Sequence, residues 1–429
     1  MRLTRFGIIM SMSRTRVWVL LSVLSMGLAH GAQVADESGW PRFRGPAGDG
    51  VTQAKGLPTK WSATNSVLWK ADLPKAHNPY ASPIVWKDRV FVATVSDTAD
   101  SQKLLCFGAS DGKLLWETAV AVGVQKQVDM RGGFNCSTPC TDGKTIYVAF
   151  GSCVLAAVNC ADGKEIWKAN LDGLKFAFCQ SASPILYKNL VILSCEANGG
   201  SSLMAFDRAT GEIKYRETRP AGRSHSTPIL PTVDAQTPWL AVASPDGLYG
   251  LNPDTGKAIW FVQQASRGAK PYDDIASPIF VNGMIYSDIG REGTFSAVAV
   301  DAKSTNDIAR NVKWKLNSLA CYNTSSPVFC NGYLYHVSDG GLLHCVEMAT
   351  GQSVYTKALA GVSSLASPVA TADGLVYFAS GGKSYVLKAG PTFEVVATND
   401  LGDPGHASPA VAQGRLFIRG GTKLWCVGR

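Results

Sequence analysis

The chain carries little charge for its 429 residues: 17% are Asp, Glu, Lys or Arg, and no Lys/Arg-rich run or basic patch interleaved with aromatics occurs. That argues against nucleic acid as a partner. No nucleophile elbow and no Ser/His/Asp arrangement stands out, so hydrolase chemistry has no support. Histidine is scarce, with six in all. None lies near the Cys136, Cys140 or the Cys153, Cys160 pair, whose wide spacing does not read as a metal site. No acidic run of the kind that cages a hard cation is present. No Cys precedes Cys106, which removes the acylated cysteine of a lipoprotein, and no two Arg are adjacent, which argues against twin-arginine export.

At the N-terminus, Arg2, Arg5, Arg14 and Arg16 precede an uncharged run from Val17 to Ala29, followed by Ala29-His30-Gly31. The run is too short for a comfortable membrane span, so residues 1–31 are expected to be a cleaved secretory signal and the mature chain to be exported, periplasmic or extracellular, and not membrane-spanning. Removing those four arginines from the net charge of +8 leaves +4 on the mature chain, a mild balance.

A repeat organises the remainder. Ser82-Pro83, Thr138-Pro139, Ser183-Pro184, Thr227-Pro228, Ser277-Pro278, Ser326-Pro327, Ser367-Pro368 and Ser408-Pro409 open eight copies, spaced 41 to 56 residues apart. In the copy from Thr138, apolar strands at Thr145–Phe150 and Val154–Val158 lead to the turn Asp162-Gly163-Lys164 and a strand carrying Trp167. The turn and aromatic recur as Asp111-Gly112-Lys113 before Trp116, Thr210-Gly211-Glu212 before Tyr215, Thr255-Gly256-Lys257 before Trp260, and Thr350-Gly351-Gln352 before Tyr355. Four short strands per copy at this period predict an all-β, eight-bladed β-propeller of four-stranded antiparallel blades. The copy from Ser408 stops at Arg429 before its last strand, while Val67 to Ala71 looks like a last strand without a beginning. The N-terminal strand is therefore expected to complete the last blade and close the ring, removing two free sheet edges. Residues 65–429 then form the propeller and 32–64 an irregular lead-in, whose Trp40 and Phe43 are expected to pack on the ring's outside.

The small-residue strand, the Thr-Gly turn and the following Trp, as in Leu248 to Trp260, resemble the pyrroloquinoline quinone (PQQ) type of propeller repeat over about residues 40 to 429. Two families share that repeat: quinoprotein alcohol and sugar dehydrogenases, and the propeller of the outer-membrane assembly factor BamB. The first resemblance implies adjacent cysteines over the quinone, a catalytic Asp and a bound Ca²⁺. No Cys-Cys pair occurs in this chain, and the blades lack the insertions that would roof a cofactor. The expectation is accordingly a noncatalytic module with no cofactor and no metal, monomeric, binding a protein or cell-envelope partner. The alternatives are a PQQ-dependent alcohol or sugar dehydrogenase and a carbohydrate-binding propeller.

Eleven cysteines cannot all pair internally. Cys106, Cys345 and Cys426 fall in the slot of Ala157, Ala205, Gly250 and Ala299, and Cys140 in that of Ile84, Ile185 and Ile229, so these four read as small buried hydrophobes. Cys136 and Cys179 precede neighbouring blades and could approach one another. Trp116, Trp167, Tyr215, Trp260, Trp314 and Tyr355, once per blade, read as interblade packing. A binding surface is sought at the mouth of the central channel, on the links that precede each Ser/Thr-Pro. Those links bring forward His77, Tyr80, Arg131, Asn135, Arg223, His225, Tyr272, Asp273, Asp274, Tyr322, Asn323 and His406.

Overall fold

A computed structural model describes residues 39–76, 79–98, 100–122, 137–151, 153–171, 180–195, 201–219, 223–232, 238–244, 246–263, 273–274, 276–289, 294–317 and 325–429, all within one compact unit, Ala35–Arg429. The expected signal segment lies outside the described residues.

The described chain folds into an eight-bladed propeller of small antiparallel sheets. We number the blades from the one that opens at Ser82. Blade 2 shows the plan: Cys140–Thr141 lies innermost, followed outward by Thr145–Phe150, Val154–Asn159 and Glu165–Asn170. Blade 8 is completed by the N-terminal strand Val67–Asp72, which pairs antiparallel with Lys423–Val427 in the register Trp69 to Cys426 and Ala71 to Leu424. In blade 4 the innermost strand is reduced to the bridge between Ile229 and Ala241, and an outermost strand, Asn306–Asp307, is added in parallel beside Trp260 and Phe261.

Two repeated contacts join the blades. The first uses the closing aromatic. Trp69, Trp116, Trp167 and Trp314 each donate Nε1–H to a carbonyl of the next blade, of Ala109, Cys160, Arg208 and Met348, at 2.9 to 3.3 Å. Tyr215 does the same with its hydroxyl, to Pro253 at 3.0 Å. Each ring lies on the turn glycine of that next blade. A Cβ on Gly211 would stand 2.6 Å from the Trp167 ring, and one on Gly351 2.4 Å from Trp314. Glycine is needed there twice over, because φ is +77° at Gly211 and +74° at Gly351. Two closing aromatics depart from this: Tyr355 packs edge-on against Phe393 at 5.7 Å without a hydrogen bond from its hydroxyl, and Trp260 departs further. The turn after it, Asp301-Ala302-Lys303-Ser304, has no glycine, and Trp260 turns onto Gly250 of its own blade and packs edge-on against Trp239 at 5.8 Å.

The second contact explains the Ser/Thr-Pro openings. The backbone N–H of Ser82 donates to the Thr138 hydroxyl, that of Thr138 to Ser183, and so on through Thr227, Ser277, Ser326, Ser367 and Ser408, whose own N–H returns to Ser82. Eight bonds of 2.8 to 3.0 Å thus circle the channel. The following proline has no N–H to leave unpaired on this inner edge. Ring closure is reinforced by Arg419 of blade 8, only 1% exposed, which donates through Nη1 to the carbonyls of Ala81 and Ala93 at 2.9 and 2.6 Å.

The lead-in departs from expectation. It does not pack on the outside: Gly39–Trp40 pairs with the innermost strand of blade 1, and Val51–Thr52 pairs in parallel with the innermost strand of blade 7. Between them Pro41 O accepts from Thr141 N of blade 2 at 2.9 Å, and Arg44 reaches Pro327 of blade 6. Trp40 is 1% exposed and Phe43 half-buried. The segment runs inside the ring because the unpaired inner edges there offer N–H and C=O groups that would otherwise need other partners. A cavity of about 80 Å³ remains between Trp40, Val51 and blade 8's Val411 and Ala412. From Gly56 to Ser62 the chain crosses blade 7, with Trp61 stacked on Tyr377 at 6.4 Å and Ser62 bridged to Asp400 on the outermost strand of that blade.

Described cysteines are free thiols, and all but Cys153 are buried. The slot equivalence holds through the pairings Cys106 to Trp116, Cys345 to Tyr355 and Cys426 to Trp69, with one correction: the blade 5 residue opposite Trp314 is Ala297, not Ala299. Cys136 and Cys179 lie outside the described residues.

Candidate functional site

The described parts of the links before the Ser/Thr-Pro openings adjoin the hydroxyl ring that circles the channel. Three of these links meet at His406. Its Nδ1 lies 3.0 Å from the Ser363 hydroxyl, contributed by the link between blades 6 and 7. Its ring lies 5.4 Å from that of Tyr80, contributed by the link between blades 8 and 1. Burial pushes the His406 imidazole below its ordinary pKa, so near neutral pH it offers a neutral ring rather than a charge. Three residues upstream, buried Asp403 accepts from Thr422 N and Oγ1 at 2.9 Å, Lys423 N at 3.0 Å and Trp425 Nε1 at 3.0 Å. This bond set ties the link to blade 8 and gives His406 a rigid base.

A second group forms around blade 4. Arg223–Ser224 and Asp273–Asp274, fifty residues apart, pair as a short parallel ribbon, Arg223 opposite Asp273. Next to it His225 Nδ1 lies 2.8 Å from the Ser181 hydroxyl of the neighbouring link. The structure therefore brings Tyr80 to His406, and the backbone of Arg223 beside Asp273 and that of Ser224 beside Asp274. His77, Arg131, Asn135, Tyr272, Tyr322 and Asn323 lie outside the described residues.

Sequence reasoning overlooked the outer edges. Leu68, Leu114, Leu115, Ile166, Ile213 and Val395 are 41 to 52% exposed. All lie on outermost strands, of the five successive blades 7, 8, 1, 2 and 3. Leu68, Leu115 and Ile166 each immediately precede the docked tryptophan, where the pairing register shifts at a bulge and turns the side chain outward. The signal was legible as the repeated aliphatic-Trp dipeptide. In blade 4 the added strand covers this position, and Ile259 is only half-exposed.

With this geometry in hand, the family described as "Outer membrane protein assembly factor BamB" matches residues 58–195 and 127–357. The chain belongs to this family. Among proteins similar to it, the outer membrane protein assembly factor BamB of Yersinia pestis is 23% identical over 390 residues, covering 76% of this chain and 94% of that protein. A tetrathionate hydrolase of Acidithiobacillus ferrooxidans is 22% identical over 348 residues, covering 73% of this chain, and the chain spans 65% of that protein's length. Among solved structures, a europium-containing methanol dehydrogenase superposes with a TM-score of 0.68 at 12% identity, covering 89% of each chain, a likeness of fold.

The dehydrogenase likeness raises a quinone and its metal, and the residues present do not fit them. Among the described residues no group of three or more His, Cys, Asp or Glu could hold a metal ion. Asp403, the buried carboxylate of the mouth, already accepts four hydrogen bonds from its own protein. The sequence has no adjacent cysteines to lie over a quinone. Cys106, Cys140 and Cys426 are pushed up to about 12 by burial, so they remain inert thiols.

Proposed function

We propose that this chain is an exported, noncatalytic propeller that binds protein partners in the cell envelope, in the manner that the name of the BamB relatives describes. The observation that carries this reading is the belt of exposed aliphatic side chains on blades 7, 8, 1, 2 and 3. Exposed single hydrophobics are ordinary, but here they recur at two neighbouring positions of the outermost strand, the bulge before the tryptophan at Leu68, Leu115 and Ile166 and the residue before it at Leu114, Ile213 and Val395, which suits a protein surface better than a small polar ligand. The mouth is proposed as a second contact, where Tyr80, His225 and His406, with the links carrying His77, Arg131, Asn135, Arg223, Tyr272, Asp273, Asp274, Tyr322 and Asn323, offer aromatic and polar groups. Lysines flank the rim, among them Lys70 and Lys113, and limit self-association of its apolar edges. The test is capture of envelope proteins by crosslinking from wild-type protein and from variants in the rim and in the mouth.

The dehydrogenase alternative would need a quinone site that the described residues do not supply. The carbohydrate alternative rests on Tyr80, Tyr272 and Tyr322, of which Tyr80 is already engaged with His406.

A further inference from the structure

The lead-in carries two arginines into the channel. Arg44 is 3% exposed. Its Nη2 donates to Asp49 O at 2.6 Å and to Pro327 O, while its Nε and Nη1 are buried without an acceptor. Arg42, two residues away, donates through Nη2 to Ala47 O at 3.2 Å, and its buried Nε also has no acceptor. Three guanidinium nitrogens of adjacent side chains are therefore withdrawn from water and unmatched, where buried charged donors ordinarily find partners.

The nearest carboxylate does not resolve this. Asp49 uses Oδ1 to accept from Val51 N at 2.9 Å, and its carboxylate attracts both arginines without a direct hydrogen bond to either guanidinium. Two guanidiniums against one carboxylate leave one positive charge in excess inside the ring. Burial pushes Arg44 down to about 9, with the Arg42 charge adding to the lowering and the attraction of Asp49 only partly opposing it. The space is small. A Cβ on Gly48 would overlap Arg42 Nη2, and one on Gly50 would stand 2.9 Å from Pro368 O and 3.0 Å from Arg44 Nη2.

We propose that the lead-in binds a small monovalent inorganic anion, of chloride size, between Arg42 and Arg44, and that this anion locks the segment inside the channel. The anion supplies the acceptor that the unmatched N–H groups lack and cancels the excess charge. Gly48 and Gly50 lie directly against the two guanidinium groups, which favours a small ion over a phosphate or a carboxylate ligand. The role is distinct from the partner surface and does not depend on it.

The experiment uses the mature wild-type protein. Crystals soaked in bromide should show an anomalous peak within hydrogen-bond reach of Arg44 Nε or Nη1. Melting temperature should rise saturably with chloride or bromide, against gluconate at matched ionic strength, and the rise should vanish in Arg44→Met while persisting in Arg310→Met, an exposed arginine. If the site scatters as water only, or if wild-type Tm is the same in chloride and gluconate, the proposal fails. The bromide result stands even if Arg44→Met does not fold.

Discussion

The backbone N–H of Ser408 donates to the Ser82 hydroxyl at 3.0 Å, across 326 positions of sequence. That bond is the last of the eight that circle the channel, and it spans the same junction as the strand Val67–Asp72, which completes blade 8. Closure is thus enforced at both the inner and the outer edge of one blade. A protein beginning at Pro74 should lose cooperative unfolding, because it leaves the outer edge of Lys423–Val427 bare. Ser326→Ala should cost about 1–3 kcal/mol, the penalty for a buried N–H left without an acceptor. Denaturant melts of both read the outcome, and a truncated protein that melts like the full mature chain would contradict it.

At the blade junctions, Gly211→Ala should destabilise by about 1–3 kcal/mol from its left-handed backbone alone, with more added by the clash with Trp167. Trp167→Ala should cost ~3–5 kcal/mol. Gly390→Ala, where an added Cβ meets nothing, serves as the control and should be nearly neutral.

Histidine pairing gives the stability a pH dependence. His336 is 2% exposed and stacked on His344 with ring centroids 4.8 Å apart. Burial, reinforced by the His344 charge, pushes His336 down to about 3. An unfolded histidine titrates near 6.5, so below that the unfolded chain takes up a proton that the folded chain refuses. Stability should be full above about pH 7 and fall as pH drops from about 6.5 toward 3, by up to ~1.4 kcal/mol per pH unit for this residue. Most carboxylates remain ionised between pH 6.5 and 5. Chemical denaturation across that interval should show the slope, and His336→Leu should flatten it.

Cofactor chemistry is testable in one cuvette. Supplied with PQQ and Ca²⁺, the protein should not reduce an artificial electron acceptor with alcohols or aldoses, and turnover above a heat-inactivated control would restore the dehydrogenase alternative.

Much of the architecture was legible because it is written once per blade. Ser/Thr-Pro, the Asp or Thr-Gly turn and the closing Trp repeat, and Val67–Asp72 could be matched to the vacancy in blade 8. The lead-in could not be placed this way. It occurs once, and its position depends on contacts such as Arg44 with Pro327 and Trp61 N with Asn399 Oδ1, 283 and 338 positions away. The mouth residues were chosen from topology, and Tyr80 does meet His406, but Ser363 was overlooked because a serine in a link carries no signal of its own. Ala299 was assigned to the slot that Ala297 holds because blade 5 lacks the Asp-Gly or Thr-Gly turn by which blades 1 to 4 and 6 align.

The central claim is that this propeller works by binding protein through its rim and mouth, and crosslinking-mass spectrometry in envelope extract tests it most directly. Leu115→Glu combined with Ile166→Glu, at exposed positions, should keep stability within about ±0.5 kcal/mol per site. The same holds for the mouth variant His77→Ala, Arg131→Ala, His225→Ala. The rim variant should lose crosslinks to specific partners by about tenfold or more, the equivalent of ~1.4 kcal/mol. The mouth variant should weaken a partner anchored there by ~2 kcal/mol. Recovery of every partner by both variants at the wild-type level would contradict the account.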